Sequence, residues 1–515
     1  MRLIPRSRRG ALWRFAAAAV IVIAATAATT ALAGLLQVKQ IVSDLDLTPP
    51  LKHVAVVLPP AGAPQTILVI GSDHRAGTPY TSANTDTMML IRLNAASSTI
   101  NLLSVPRDLE VQLPIGGGES GDFKLNAAYS FGGVRLLINT LKQQVFPGIS
   151  INHVLDVNFS AFVGLVNAIG CVYTDVDHRY YNNTELTDYS SIDVLPGYQK
   201  LCGNQALQFV RFRHTDSDIV RNARQQDFIR WAKDQYSVGQ LISNRDQLLK
   251  IFGANVQTDH SLHTSDGLIN LFSLVLNSEG HEIKQVPFPA QFSVCNSAGT
   301  AAGTPQTPCY VTAEPSAEQS AFASFMRPTI PSAASSGHGH RKPAPLSDAG
   351  LIADTGDGQG QATALGHVPF PVYFPRLIAN SGEDSGYCSS VTGNCDDPAE
   401  PASKYAGDYP RAYHIHGQHG GVYPSYVMTL VINSALGEYY TVQGTTWKDP
   451  PILLHGITGT KTVDGKVLDL YQNGAHVSLV AWHTPAAVYW ISNTLTDTLS
   501  NSQMIAMAAS LTPAH

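Results

Sequence analysis

Over the first 290 positions, apolar residues come in short runs broken by polar, Gly- and Pro-rich segments, and the period of the runs changes. Residues 67–70, 87–93 and 99–105 have strand length, with polar residues after each, and 153–157 and 172–176 repeat the pattern. Helical spacing appears at 134–145, just after Gly132-Gly133, and at 159–169. It returns from Arg221 through Trp231, then at 248–252 and 268–276. Strands alternating with helices predict an α/β fold, a central sheet with helices on both faces. Residues 327–347, RPTIPSAASSGHGHRKPAPLS, have linker composition. Beyond about 360, alternating runs at 426–433, 452–455, 476–483 and 487–492 predict antiparallel strands, and 501–511 a closing helix. That pattern describes a smaller, strand-rich α+β domain.

Residues 16–37 contain no charged side chain, about the length that crosses a bilayer as one helix. Arg2, Arg6, Arg8, Arg9 and Arg14 precede it, and Asp44 and Asp46 follow. This asymmetry predicts a single-pass anchor with a cytoplasmic N-terminus and an extracellular body. A cleaved signal peptide ending near Ala31-Leu32-Ala33 is the alternative, and it exports the body equally. The predicted layout is a cytoplasmic segment 1–15, a span 16–38, a stalk 39–64 and a first domain 65–292. A loop and linker 293–359 and an accessory domain 360–515 complete it.

The net charge of −6 conceals an acidic body: without the five leading arginines, 28 basic residues face 39 acidic ones. That balance argues against nucleic-acid binding, which a basic face drives. The six cysteines fall as sequence neighbours, Cys171 with Cys202, Cys295 with Cys309 and Cys388 with Cys395. Of the 15 pairings that six cysteines permit, local disulfides are the simplest in an oxidising compartment. No C-x-x-C spacing supports zinc.

The basic residues that remain cluster. Arg211, Arg213, Arg221 and Arg224 lie within 14 residues, in a chain that is 14% charged. Arg211 and Arg213 alternate, whereas Arg221, Arg224 and Gln225 have the spacing of one helical face. Two such groups around the acidic turn of Asp216 and Asp218 could close on one multiply charged anion, since guanidinium forks suit phosphate oxygens. A solvated helix end with surface ion pairs is the plainer reading. Asp73 with Arg75, Asp86, and Arg107 with Asp108 also lie near strand ends, where α/β sheets bind ligands. Asp73 and Asp86 could share a hard cation such as magnesium, with manganese as an alternative.

Five segments occur in an order that resembles the LytR-CpsA-Psr family of cell-wall glycopolymer transferases. They are ILVIGSDHR (67–75), NTDTMMLIRLN (84–94), INLLSVPRDLEVQLP (100–114), FKLNAAYSFGG (123–133) and QALQFVRFRHTDSDIVRNARQQDF (205–228). The resemblance covers roughly 64–290 and implies that the central sheet is mixed. It implies a membrane-anchored enzyme that moves a glycopolymer from a polyprenyl-diphosphate carrier onto a peptidoglycan sugar hydroxyl, forming a phosphodiester. It also implies that Asp73 and Asp86 help to position magnesium, and that Arg107, Arg211, Arg213, Arg221 and Gln225 surround the diphosphate. Arg75, Asp108, Lys124 and Asn126 sit on motif positions, and Asp86 or Asp108 would accept the acceptor's proton. A tunnel for the polyprenyl tail would draw on apolar faces at 134–145, 159–169 and 268–276, for which ordinary core is the plainer reading. Two features depart from the family pattern: a short spacer between Arg213 and Arg221, and His74 where a small polar residue is expected.

Residues 360–515 lie outside the resemblance and suit an extracellular accessory role, such as binding wall polymer. His414, His416 and His419 read as strand-and-turn histidines rather than metal ligands, because no carboxylate or cysteine nearby completes a shell. The alternatives are a polyprenyl-diphosphate hydrolase and a non-catalytic module that binds lipid-linked polymer or peptidoglycan.

Overall fold

The computed structural model describes residues 50–51, 54–73, 85–182, 191–212, 217–237, 239–240, 244–292, 310–329, 350–354, 356–379, 410–418, 420–434, 436–454 and 456–514. At the centre of the first domain is a six-stranded sheet. Its strands are β1 (Gln65–Ser72), β2 (Thr85–Leu93), β3 (Thr99–Ser104), β6 (His153–Asn158), β11 (Val256–Thr258) and β12 (Glu282–Val286), in the order β11-β6-β1-β2-β3-β12. β1 runs parallel to β6, and β3 to β12, whereas β2 is antiparallel to both β1 and β3. The sheet is therefore mixed, as the resemblance implies. β1, β3, β6 and β12 end at one edge, and β2 begins there.

Side chains alternate across the pleat. Leu68, Ile70, Met88, Leu90, Leu103 and Val154 pack toward α1 (Leu125–Thr140) and α7 (Pro315–Met326). Ile67, Val69, Met89, Ile91, Ile100, Leu102 and Leu155 face the other way, toward α4 (Asp218–Gln235) and α6 (Ser265–Asn277). On the α1 side, Leu68, Ile70, Met88, Leu90 and Leu103 are fully buried. On the α6 side, Val69, Ile91, Ile100 and Leu155 are only partly buried. The second face is the less tightly closed of the two.

This layering corrects the tunnel expectation. The 134–145 segment, through Val134, Leu137, Ile138, Leu141 and Val145, is closed core on one face. Leu271 and Leu274 of the 268–276 segment lie on the opposite face. The two segments cannot line one chamber. α1 also begins earlier than its apolar pattern, at Leu125, and its helical geometry breaks at Gly132-Gly133, where Gly133 has φ 61°.

Beside the sheet lies a second group of elements. α2 (Phe159–Ile169) leads to β7 (Val172–Val176), which pairs with β10 (Gly197–Leu201). The hairpin β4 (Glu110–Gly116)–β5 (Glu119–Lys124) and the short pair β8 (Tyr180–Asn182)–β9 (Ile192–Val194) precede α3 (Gly203–Arg211) in the chain. α5 (Arg245–Asn255) packs on α2. A disulfide joins Cys171 to Cys202, the N-cap residue of α3. Cys295, Cys309, Cys388 and Cys395 lie outside the described residues, as do the apolar run 16–37, His74 and His419.

Three boundaries differ from expectation. Within 39–64, predicted as a stalk, Val54 and Val56 pack on the first core, and Val57 N–H donates to Ile151 O at 3.2 Å. Within 293–359, predicted as loop and linker, α7 inserts Phe325 into that core, after the short pair β13 (Gln291–Phe292)–β14 (Val311–Thr312). The C-terminal unit begins at β15 (Leu351–Ala353), ahead of residue 360, because β15 pairs with β17 (Leu377–Ala379).

That unit is a seven-stranded antiparallel sheet. Its strands are β18 (Arg411–His416), β19 (Val422–Asn433), β20 (Glu438–Thr445), β21 (Ile457–Val463), β22 (Lys466–Asn473), β23 (His476–His483) and β24 (Val488–Ser492). α8 (Asp357–Ala364), the pair β16 (Tyr373–Pro375)–β25 (Leu511–Pro513) and α9 (Asn501–Ser510) close one face. Residues 452–454 of the predicted 452–455 strand are not a strand, since Pro451–Leu453 forms a 3-10 turn after Pro450, and His455 lies outside the described residues. His414 and His416 are exposed on β18.

The two units share a core. Tyr173 and Tyr198 of β7 and β10 pack among Tyr413, Ile415, Val427, Tyr471 and Trp490. Tyr198 N–H donates to Tyr413 Oη at 2.8 Å and Gln443 Oε1 at 2.9 Å. Gln443 and Ser492 both donate to the buried Asp175 carboxylate.

Candidate active site

The acidic and basic residues of the motifs meet at the edge where β1, β3 and β6 end. Asp73 follows β1 directly, and Asp86 is the second residue of β2. The register there runs Gly71↔Thr87 and then Ser72↔Thr85, so Asp86 is the extra residue of a bulge. A Cβ on Gly71 would stand 3.0 Å from the Thr87 Cβ, a close approach that glycine permits.

Asp86 is gripped from two sides. Arg107 Nη1 lies 2.5 Å from its Oδ1, and Arg211 reaches its Oδ2 through Nε and Nη2, each at 3.1 Å. The Arg211 guanidinium lies over the Phe159 ring, 3.8 Å from its centroid. Arg107 is also 3.8 Å from Asp108 Oδ1, which Lys124 Nζ approaches to 3.2 Å. Asn126 contributes its backbone N–H, which donates to Arg107 O at 3.0 Å. Below this group lies a second ion pair, Arg221 Nη2 to Asp218 Oδ1 at 2.9 Å, with both side chains 2% exposed. Arg211 is 37% exposed and Lys124 32%, so the site grades from a buried pair to an open cationic mouth.

Local sequence explains the placement. Ser217 caps α4 by accepting from Val220 N–H, which puts Asp218 in the first turn and Arg221 one turn on. The positive end of the helix dipole therefore faces the site. α3 ends at Arg211, and α4 side chains satisfy its last carbonyls. Arg224 Nη1 donates to Phe209 O at 2.8 Å and Phe212 O at 2.9 Å, and Gln225 Nε2 donates to Val210 O at 3.0 Å.

Arg221, Arg224 and Gln225 thus do not present three donors to one ligand. Arg224 is fully buried, 4.5 Å from the Tyr180 ring centroid, and with Gln225 it holds the helix end that carries Arg211. The structure brings together Asp86, Arg107, Asp108, Lys124, Arg211 and Arg221, with Asn126 beneath them. Gln225 stands one step back, and Arg75 and Arg213 lie outside the described residues. Asp218 belongs to the first turn of α4 rather than to the predicted acidic turn, and its i, i+3 relation to Arg221 is visible in the sequence. The Phe159 platform had no sequence signal.

The oxygen donors suit a hard cation. Asp73 and Asp86 stand at the same end of paired strands, and beside Asp86 the Thr85 hydroxyl is fully buried without a hydrogen-bond partner among the described residues. No three His, Cys, Asp or Glu side chains gather among the described residues. A cation held by these strands would take at most two described carboxylates, as magnesium commonly does.

The model of the LytR_cpsA_psr family matches residues 37–319. An uncharacterized protein of Staphylococcus aureus is 30% identical over 212 residues, which is 40% of this chain and 50% of that one. The polyisoprenyl-teichoic acid–peptidoglycan teichoic acid transferase TagU of Halalkalibacterium halodurans is also 30% identical over 212 residues, 41% of this chain and 64% of its own. The chain thus spans between half and two thirds of these relatives' length. The solved structure of B. subtilis TagV, at 21% identity, covers 51% of this chain and 96% of that chain with a TM-score of 0.39.

Proposed function

The chain belongs to the LytR-CpsA-Psr family, and from that premise we propose that it is a phosphotransferase of the cell envelope. Its substrate is a glycopolymer on a polyprenyl-diphosphate carrier, its acceptor a peptidoglycan sugar hydroxyl, and its product a phosphodiester. The observation that carries this reading is the grip of Arg107 and Arg211 on the single carboxylate of Asp86, at an open cationic mouth. Two guanidiniums that converge on one anion are placed to share the oxygens of a diphosphate.

In the proposed reaction the acceptor oxygen attacks the phosphorus bound to the glycopolymer. The bond from that phosphorus to the bridging oxygen breaks, and polyprenyl phosphate leaves. Arg107 and Arg211 hold the phosphate oxygens and offset the charge that grows on them, while the buried Arg221–Asp218 pair lies at the first turn of α4 beneath. Asp86 or Asp108 would accept the hydroxyl proton. Magnesium or manganese at Asp73 and Asp86 would supply a further fixed positive charge against the diphosphate.

The partly buried apolar face beneath α4 and α6 supports a place for the isoprenoid tail, since Val69, Ile91, Ile100 and Leu155 keep some exposure between sheet and helices. The charge-free run 16–37, with arginines before it, supports an N-terminal membrane anchor and an extracellular body. The C-terminal unit would be the extracellular accessory part.

Product analysis tests the reading. The full-length chain, incubated with a synthetic polyprenyl-diphosphate oligosaccharide, peptidoglycan fragments and magnesium, should yield polyprenyl phosphate and a sugar phosphodiester. Release of the oligosaccharide phosphate to water alone would make it a hydrolase.

A further inference from the structure

The two ends of α4 keep different company. Its first turn delivers Asp218 and Arg221 to the anion site, and its middle faces the C-terminal unit. Asp227 Oδ1 accepts from Gln285 Nε2 of β12 at 2.9 Å and from Arg230 Nε at 3.1 Å. Gln285 Oε1 accepts from Asn473 Nδ2 at 2.6 Å, and the same Asn473 amide donates to Asp497 Oδ2 at 3.2 Å. Asn473 ends β22 and Asp497 precedes α9, so both belong to the C-terminal unit. One residue before Asp227, Gln226 Nε2 donates at 2.8 Å to the hydroxyl of Ser104, the last residue of β3, and Arg107 follows three residues later.

Four polar side chains in a row therefore reach from the C-terminal unit to the helix that carries Arg221. Gln226 continues the link to the strand that carries Arg107. The row is not needed merely to join the units, because the tyrosine-rich core around Tyr198 already does so. The hydrogen bonds around Tyr198 and Asp175 hold β7 and β10, whereas the row holds α4 itself, and a run of directional hydrogen bonds fixes one alignment of that helix. Asp227 lies six residues beyond Arg221, about 9 Å along the helix axis, so an axial shift at one is transmitted to the other.

We infer that the row Asp497–Asn473–Gln285–Asp227 is a positioning device through which the C-terminal unit sets α4, and with it the Arg221–Asp218 pair, at the anion site. The inference rests on the diphosphate reading of that site. Asn473 and Gln285 are positioning residues, since each acts only through Asp227.

The test uses the full-length chain and two readouts, amide hydrogen exchange over 221–226 and the affinity for inorganic pyrophosphate with magnesium. Asn473→Ala should raise exchange over 221–226 and weaken pyrophosphate binding, each about tenfold, the equivalent of one buried hydrogen bond. Val467→Ser, at an exposed position of the same strand, should change neither. If Asn473→Ala does not fold, Asn473→Asp keeps the shape without the two donated bonds and is measured in its place. Arg211→Ala reports on the diphosphate reading by itself. Wild-type exchange in the Asn473 variant, with pyrophosphate bound by wild type and lost in Arg211→Ala, overturns the positioning role and leaves the site intact. Raised exchange with no pyrophosphate binding by wild type supports the positioning role and removes the diphosphate reading instead.

Discussion

Arg211 and Arg224 come from one basic cluster and take opposite duties. The first is partly exposed, stacked on Phe159 and aimed at Asp86; the second is fully buried and spends its donors on the end of α3. Replacing Arg224 by Ala leaves two carbonyls unsatisfied and removes a cation from the Tyr180 ring. It should cost about 3 kcal/mol in urea unfolding. Arg211→Ala should stay within about 1 kcal/mol of wild type in the same measurement, yet lower transfer by about 10²–10³ through the lost charge stabilisation. Equal destabilisation by the two would contradict the division. Spacing along a helix could not separate Arg221 from Arg224, because i and i+3 share a face. What separates them is the position of the α3 carbonyls, a tertiary fact. Asp86, Arg107, Lys124 and Arg211 were legible because ordered motifs, rather than any one residue, singled them out.

Among the elements, those with strong periodicity and clear punctuation were legible, including β1, β2, β3, β6 and α2, the last capped by Asn158 and stopped at Gly170. The β4–β5 hairpin was not, since Pro114, a Gly run and Glu119 to Asp122 read as loop. α7 was hidden by its Ala- and Ser-rich composition beside the linker, although Pro315 marks its first turn. The opposite placement of α1 and α6 was also invisible, because periodicity shows that a helix has an apolar face but not which side of a sheet it covers. The Cys171–Cys202 disulfide closes a span of 31 residues and anchors the start of α3, whose last residue is Arg211. Replacing both cysteines by serine should lower the unfolding free energy by about 3 kcal/mol, and reductant should lower the wild-type melting temperature. Identical melts of wild type with and without reductant would remove this role.

At the scale of the whole molecule, the two units meet through buried carboxyls that hold their protons more tightly than a free carboxyl does. Burial and then Asp227 push the Asp497 carboxyl up to about 7, against Arg230 on α4 and the Asn473 amide on β22. Burial likewise pushes Asp175 up to about 6, against hydrogen bonds from Ser492 and Gln443. A raised carboxyl binds its proton more tightly in the folded chain, so its contribution is full below the ordinary carboxylate value and is lost as pH climbs to the folded value. Asp497→Asn should therefore melt like wild type near pH 4 and progressively higher than wild type up to about pH 7, with the gap constant above. A gap that does not change with pH would contradict this. The site is tested most directly by comparing wild type, Arg107→Ala and Asp86→Ala of the full-length chain in the transfer reaction with magnesium. Wild type should give a sugar phosphodiester and either variant almost none, with all three folded; equal turnover by the three would remove the site assignment.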